Sequence, residues 1–310
     1  MRKTCLIGAA MGLWLMLPLS SMAQDAGCVF LTKEIDDVEI GNVHLVSDGN
    51  IDAHLQACTR IIDAGQAGKT ELAAARANRA NIYLIKGDPA AADKDASAAI
   101  ALDPDHSPAH IARAQVLFWK GLWDKALLET NAAIKLDSAN DWIYNHRGII
   151  DHYFAEAGAS GDLVIGDIVV ADPVRWVQRA ISDFDYAAKL NPAEVGYHIN
   201  SCRARAIWGK ELENALAECE KAATMEPAMP PVSDLVLESL CLVKFRMGKY
   251  AAAIEDCSAA LKNNHKRPAS LYVRGLALNQ TGQSGAGDIA AAKEINRKID
   301  AVYGIFGVTP

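Results

Sequence analysis

Cysteine is the residue type with the most specific chemistry in this chain. A thiol can form a disulfide, bind a metal or attack a substrate, and the spacing helps to separate these roles. No Cys-x-x-Cys pair occurs and no histidine pair accompanies the cysteines, so a zinc site is disfavoured. Disulfides and free buried thiols remain as alternatives. The seven cysteines are Cys5, Cys28, Cys58, Cys202, Cys219, Cys241 and Cys257.

The histidines do not form a metal-binding or catalytic pattern. His106 and His110 are four residues apart, but Pro108 lies between them at a turn, which keeps them off one regular helix turn. His146 and His152 are six apart on one expected helix, a poor spacing for a shared ion.

The common catalytic motifs are also absent from the sequence. There is no Gly-x-x-x-x-Gly-Lys phosphate loop, no Gly-x-Ser-x-Gly and no His-Glu-x-x-His. Asp183 and Asp185 flank Phe184 on an expected helix, so they point in different directions and are expected on a solvated face. We therefore expect no enzyme activity, no cofactor and no metal.

The first 23 residues have the three parts of a secretory signal peptide. Arg2 and Lys3 precede an apolar run from Leu6 to Leu19, and small residues lead up to Ala23. The run is too short to span a bilayer. We expect cleavage after Ala23 and a periplasmic or secreted protein without stable membrane insertion.

The acidic balance argues against nucleic acid as a partner. The full chain has a net charge of −7, and loss of Arg2 and Lys3 leaves 29 basic and 38 acidic residues, a net charge of −9. Binding to phosphate requires clustered cations. The same charge disfavours anionic membrane surfaces.

One pattern of small residues recurs six times, mostly about 34 residues apart. A small residue is followed by a turn glycine seven positions later, and then by two alanines that are themselves seven apart; the third copy lacks the glycine, and the last copy has Gly287 and Glu294 in place of the alanines. In the first copy these residues are Ala80, Gly87, Ala92 and Ala99. Such self-similarity indicates stacked helical hairpins, in which small residues allow two helices to approach closely. The first small residues of the six copies are Ala80, Ala114, Gly148, Cys202, Cys241 and Gly275.

This pattern resembles the tetratricopeptide repeat, which has small residues at positions 8, 20 and 27 and a proline near 32. The resemblance covers about residues 70–300 and implies an all-α, right-handed solenoid. We expect an N-terminal segment with a capping helix over 24–66, six repeats over 67–296, and a capping helix with a tail over 297–310.

The third repeat contains about 20 extra residues, at 155–173. An apolar run from Leu163 to Val170 is interrupted by Gly166-Asp167, which predicts a β-hairpin. A similar phrase from Val38 to Leu45, with Gly41-Asn42 at its centre, predicts a second hairpin. Either the insertion is a functional element at the groove edge, or it is an ordered loop that packs on its own helices.

The positions of the cysteines within the repeats reduce the number of possible disulfide pairings. Cys202 and Cys241 precede their turn glycines by seven residues, and Cys219 and Cys257 take one shared position on the second helix. These positions face each other within a hairpin, which pairs Cys202 with Cys219 and Cys241 with Cys257, and leaves Cys28 with Cys58. The layout also resembles that of exported bacterial tetratricopeptide proteins.

The resemblance implies that the first helix of each repeat lines a concave groove. The side chains there are amides, which can hold a peptide backbone, and aromatic rings, which can anchor a partner. We expect a scaffold or adaptor that binds another envelope or secreted protein; a small-ligand or glycan binder is the alternative. The candidate groove residues are Asn78, Asn81, Gln115, Trp119, Trp142, Asn145, His146, Tyr153, Asn200 and Arg203.

Overall fold

The computed structural model describes residues 38–39, 42–43, 51–162, 164–225 and 233–309. The expected signal peptide, its cleavage site at Ala23, and Cys28 lie outside the described residues. Within the described part of the chain, no helix is long and apolar enough to cross a membrane.

The described residues form fourteen α-helices and two short antiparallel strand pairs, so the all-α expectation is confirmed. The strands are β1 (Val38–Glu39), β2 (Asn42–Val43), β3 (Val164–Ile165) and β4 (Ile168–Val169). The helices are α1 (Ile51–Ala64), α2 (Lys69–Ile85), α3 (Pro89–Leu102), α4 (Ser107–Trp119), α5 (Trp123–Leu136), α6 (Asp141–Ala159), α7 (Pro173–Leu190), α8 (Val195–Trp208), α9 (Leu212–Met225), α10 (Asp234–Arg246), α11 (Tyr250–Asn263), α12 (Pro268–Gln280), α13 (Ala286–Ile295) and α14 (Ile299–Ile305).

Six helical hairpins, from α2·α3 to α12·α13, stack in chain order in the described residues. In the first hairpin Gly87 ends α2 in the left-handed region, with φ of 73°, and the Asp88 side chain accepts from the backbone N–H of Ala91. Pro89 begins α3, where a missing backbone donor costs nothing. The segment Gly87-Asp88-Pro89 therefore ends one helix and begins the next through local turn and capping contacts.

The small residues of the repeat lie where the two helices of a hairpin meet. Ala80 of α2 and Ala92 and Ala99 of α3 are fully buried. In the third repeat Gly148 lies against the Phe184 ring, and a Cβ at this glycine would come within 2.6 Å of Phe184 Cε1. A small residue on one helix thus makes room for a large one on its partner.

The insertion packs on α6 of its own repeat and, at its turn glycine Gly166, against Asp124 of α5. Helix α6 continues to Ala159, and Gly161, with φ of 94°, ends it. Strands β3 and β4 then pair with Ile165 opposite Ile168, so the predicted hairpin is confirmed. Ile165 and Ile168 pack on the core, and Val170 is fully buried. The insertion is therefore part of the folded core.

Both disulfides expected inside a hairpin are present. Cys202 pairs with Cys219 across α8 and α9, with the Cα atoms 5.4 Å apart. Cys241 pairs with Cys257 across α10 and α11, at 5.2 Å. Cys58 is also disulfide-bonded, while its expected partner lies outside the described residues. The pairing of Cys28 with Cys58 stays a prediction.

Arginines on the first helix of four repeats bond to the second helix of the unit before. Each arginine donates to a hydroxyl or amide oxygen of that preceding helix, and each comes directly before the small residue of its own repeat. Helix α1 therefore stands in the same relation to the first repeat as the second helix of a complete repeat. The pairs are Arg79 with Thr59, Arg113 with Ser97, Arg147 with Asn131, and Arg274 with Ser258.

The C-terminal helix lies inside the solenoid as well as at its end. A cap over the last repeat would contact only α12 and α13, and α14 does contact both. It also contacts α6, the first helix of the third repeat. Helix α14 therefore lies against the last repeat and also reaches back to the third.

Candidate functional site

The ten candidate groove residues all lie on the first helices of the first four repeats. Trp119 is partly exposed and the other nine are buried. The sequence reasoning placed them on these helices but did not foresee how deeply they are enclosed. By helix they are Asn78 and Asn81 on α2; Gln115 and Trp119 on α4; Trp142, Asn145, His146 and Tyr153 on α6; and Asn200 and Arg203 on α8.

Aromatic rings from α4, α5 and α6 form one cluster. Trp142 and His146 stack with ring centroids 4.9 Å apart, and Phe118 meets the His146 ring edge-on at 5.8 Å. Tyr153 contacts Phe118 at 5.1 Å and Trp123 at 5.2 Å. Phe118 and Trp123, on either side of the turn glycine Gly121, were not among the candidate residues.

Among the candidate groove residues on α2, α4 and α6, four buried polar atoms have no hydrogen-bond partner among the described residues. They are Asn81 Oδ1, Gln115 Oε1, Trp142 Nε1 and His146 Nε2. A buried polar atom without a partner costs roughly 1–3 kcal/mol, so native proteins seldom keep several together. These atoms lie on the first helices of three successive repeats and comprise three acceptors and one donor.

His146 is held as a neutral imidazole. The Thr130 hydroxyl donates to the Ala126 carbonyl, so at 3.1 Å it accepts from His146 Nδ1–H. That tautomer leaves Nε2 as a hydrogen-bond acceptor. Burial lowers the pKa of His146 to about 3, and burial likewise lowers the pKa of His152 to about 3. Both rings are therefore uncharged at neutral pH.

A row of polar contacts continues along α6, α8, α10 and α12. Asn200 Nδ2 donates to Asn145 Oδ1 at 2.9 Å, and Arg203 pairs with Glu238 at 3.6 Å. The Ser270 hydroxyl then donates to Glu238 at 2.9 Å. Three candidate residues, Asn145, Asn200 and Arg203, thus bond within the solenoid. Glu238 and Ser270 were missed because their role appears only once the repeats are stacked.

Asp183 is not on a solvated face, contrary to the sequence interpretation. It is buried, and its two carboxylate oxygens accept from Arg147 at 2.7 and 2.8 Å. Asp185 pairs with Arg205 instead. The two carboxylates therefore serve separate ion pairs, and they do not form a catalytic pair.

Metal binding has little support in the described residues, where no group of three or more potential ligands converges. Both ring nitrogens of His110 are already engaged, at 2.7 Å to Glu129 Oε2 and at 2.8 Å to the Pro104 carbonyl. His198 makes the same two contacts, with Glu218 and with the Pro192 carbonyl. Each histidine therefore joins the two helices of its hairpin.

Comparison with solved structures identifies the architecture. The chain superposes on a tetratricopeptide repeat protein from Parabacteroides merdae with a TM-score of 0.52 and 15% identity, covering 83% of this chain and 93% of that one. For pilF of Pseudomonas aeruginosa the TM-score is 0.53 at 17% identity, covering 77% and 98%. For the Cut9–Hcn1 structure of the APC/C the TM-score is 0.58 at 12% identity, covering 80% of this chain and 47% of that one.

No protein-family model and no curated protein sequence matches the chain. The identities to solved structures are low, so the similarity concerns the fold, and it agrees with the stacked hairpins and their small-residue contacts. The chain therefore has the fold of the tetratricopeptide-repeat solenoids.

Proposed function

We propose that the protein is a non-catalytic interaction module that binds a segment of another protein in its concave surface. The observation that supports this most is the set of unpaired buried polar atoms at Asn81, Gln115, Trp142 and His146, on the first helices of three successive repeats. An extended polypeptide carries alternating backbone donors and acceptors, so one segment can satisfy all four atoms. Because these atoms are buried in this structure, binding is coupled to an opening of the groove.

The alternative of a small-ligand or glycan binder has less support. Glycan sites present flat aromatic faces to the ligand, whereas Trp142 is stacked on His146 and Tyr153 contacts Phe118 and Trp123. The rings pack against one another within the protein, and the unpaired atoms are spread along three helices. This spread suits a chain better than a compact ligand.

The site of action we propose is the periplasm or the extracellular space. The sequence supports export through its first 23 residues, and disulfides persist mainly in oxidising compartments. The partner is then another envelope or secreted protein. Nucleic acid is not expected, since the chain is acidic.

The test is affinity capture from an envelope extract with paired variants. We expect Asn81→Ala combined with Gln115→Ala to lose about 2 kcal/mol of binding, about a thirtyfold higher Kd, from two hydrogen bonds. Asn214→Ala with Gln178→Ala is the matched control, because both residues are exposed on second helices. If only the control variant fails to capture the partner, the binding site lies on the outer face formed by the second helices.

A further inference from the structure

Helix α14 lies in the concave surface that the first helices of the later repeats form. Tyr303 lines a cavity of about 10 Å³ together with Arg203 and Ile207 of α8, Glu238 of α10 and Val273 of α12. The Tyr303 and Tyr272 rings are 5.5 Å apart. Burial raises the pKa of Tyr303, and Glu156 of α6 lies close enough to contribute to that rise. One short helix thus touches four successive repeats.

The contacts of α14 follow a pattern used by helices that bind in grooves. Ile299, Val302, Tyr303 and Phe306 are spaced i, i+3, i+4 and i+7, which places them on one face of the helix. Ile299, Val302 and Phe306 are buried and Tyr303 is partly buried, whereas Ile305 on the other face is 53% exposed. The segment is amphipathic, with its apolar face towards the solenoid.

The groove side contributes polar groups to this contact. Arg246 of α10 donates from Nη2 to the Phe306 carbonyl at 2.9 Å, at the end of α14. The same nitrogen donates to the Ile207 carbonyl at 2.6 Å, at the end of α8. A cation is favourable at a helix C-terminus because the unpaired carbonyls there are negative. Arg246 therefore fixes both the depth and the direction of α14.

We propose that residues 299–308 are an intramolecular ligand, and that the surface they occupy binds a partner helix of the same chemistry. That partner helix is short and amphipathic, with aliphatic or aromatic residues at i, i+3, i+4 and i+7 and a C-terminal carbonyl that Arg246 can hold. The proposal rests on the proposed function as a protein-binding module, and it adds a second binding surface, in repeats three to six, with the class of segment that this surface takes and its regulation.

Displacement is physically reasonable because α14 is weak on its own. It spans seven residues, and isolated helices of that length are marginal in water. The loop before it contains Arg297 and Lys298, both exposed, so the point at which the helix would hinge lies on the surface. Its tether gives it an effective concentration in the millimolar range, which an external helix must exceed.

The experiment uses the full chain and a labelled peptide of residues 297–309 in a fluorescence anisotropy titration. Val302→Asp places a charge on the buried face of α14 and leaves the groove intact. We expect the peptide to bind this variant with at least about tenfold lower Kd than wild type, because the competing segment is released. Ile305→Asp, on the exposed face of the same helix, is the matched control and should bind like wild type.

Circular dichroism checks that each variant is folded. If Val302→Asp does not fold, the milder variant Tyr303→Ala replaces it in the titration. A folded variant that binds the peptide no better than wild type would overturn the proposal, since α14 would then be a permanent part of the core. A partner captured equally by wild type and Val302→Asp also counts against it. Peptide exchange without any captured partner supports the α14 inference and counts against the proposed function.

Discussion

The Arg246 guanidinium donates to the backbone carbonyl of Phe306, 60 residues further along the chain, at 2.9 Å. It also donates to the Ile207 carbonyl at 2.6 Å, so one side chain of α10 joins the C-terminal ends of α8 and α14. Burial lowers the pKa of Arg246 to about 10, and the group still stays charged at neutral pH. The position of α14 therefore depends on a charge held inside the solenoid.

Gly209 lies directly against this arginine, which makes it different from the other turn glycines. Its φ is 76°, and a Cβ would collide with the Arg246 guanidinium. Gly248 has φ of 73° with open space around it. We expect Gly248→Ala to cost about 1 kcal/mol from the left-handed backbone alone. Gly209→Ala should cost about 2 kcal/mol more, since hydrogen bonds from a charged group are also lost.

Urea unfolding of the two variants measures this difference. The peptide titration described above provides a second readout, because Gly209→Ala should release α14 and Gly248→Ala should not. Equal unfolding free energies for the two variants would contradict the conclusion that Arg246 stabilises the protein by joining the ends of α8 and α14.

Each disulfide should stabilise its hairpin by about 3 kcal/mol, because each closes a loop of 16 or 17 residues. The first repeat provides a reference for the substitution, since Ala80 and Ala96, at the corresponding positions, are both fully buried. Cys241→Ala with Cys257→Ala therefore removes the cross-link without leaving polar atoms behind. We expect lower thermal stability for this variant, and reductant should lower wild type further than the variant.

Non-reducing peptide mapping checks the pairing directly, including the untested link between Cys28 and Cys58. Equal melting of oxidised and reduced wild type would show that the bridges do not contribute.

Features encoded within one repeat could be read from the sequence. The turn glycines, the Asp88 cap, the insertion hairpin and the cysteine positions all act over short distances, and the repeat register places them. Features that arise from stacking could not be read this way. The burial of Asn81 and the reach of α14 to α6 depend on how successive repeats curve.

One missed signal was present in the sequence. Arg79, Arg113 and Arg147 are each 34 residues apart and precede the small residue of their repeats. A long cation at a recurring position facing a preceding helix predicts a contact between units, and the structure contains it. Asp183 was misread for the same reason, because its partner Arg147 belongs to this series.

His110 should make stability depend on pH near neutrality. Its hydrogen bond to Glu129 raises the pKa of His110 above its usual 6.5, and Pro104 and Asp105 act in the same direction. Since the folded pKa exceeds the unfolded one, the stabilisation is fully present below pH 6.5 and is lost as pH rises through the folded pKa. His110→Gln should therefore lower the free energy of unfolding of the protein most at pH 5.5 and least at pH 8.5.

Thermal melting across this pH range tests the expectation, and an NMR titration of His110 should give a midpoint above 6.5. A midpoint below 6.5 would show that burial outweighs the carboxylate.

Gln115 offers a test that separates binding from stability. Its buried Oε1 has no partner among the described residues, and such an atom costs stability in the free protein. Gln115→Met keeps the side-chain volume and removes that atom, so we expect unfolding to require about 1 kcal/mol more. The same change should weaken partner capture, because the bound segment loses a hydrogen bond.

Substitution of a binding residue should raise the free energy of unfolding and lower the affinity for the partner. Substitution of a purely structural residue would instead lower the free energy of unfolding. Urea unfolding and affinity capture are measured on the same preparations. Gln178→Met, at an exposed position of α7, is the matched control and should change neither quantity. If Gln115→Met lowers stability, Oε1 already has a structural partner, and the unpaired atoms of Asn81, Trp142 and His146 would have to carry the binding without it.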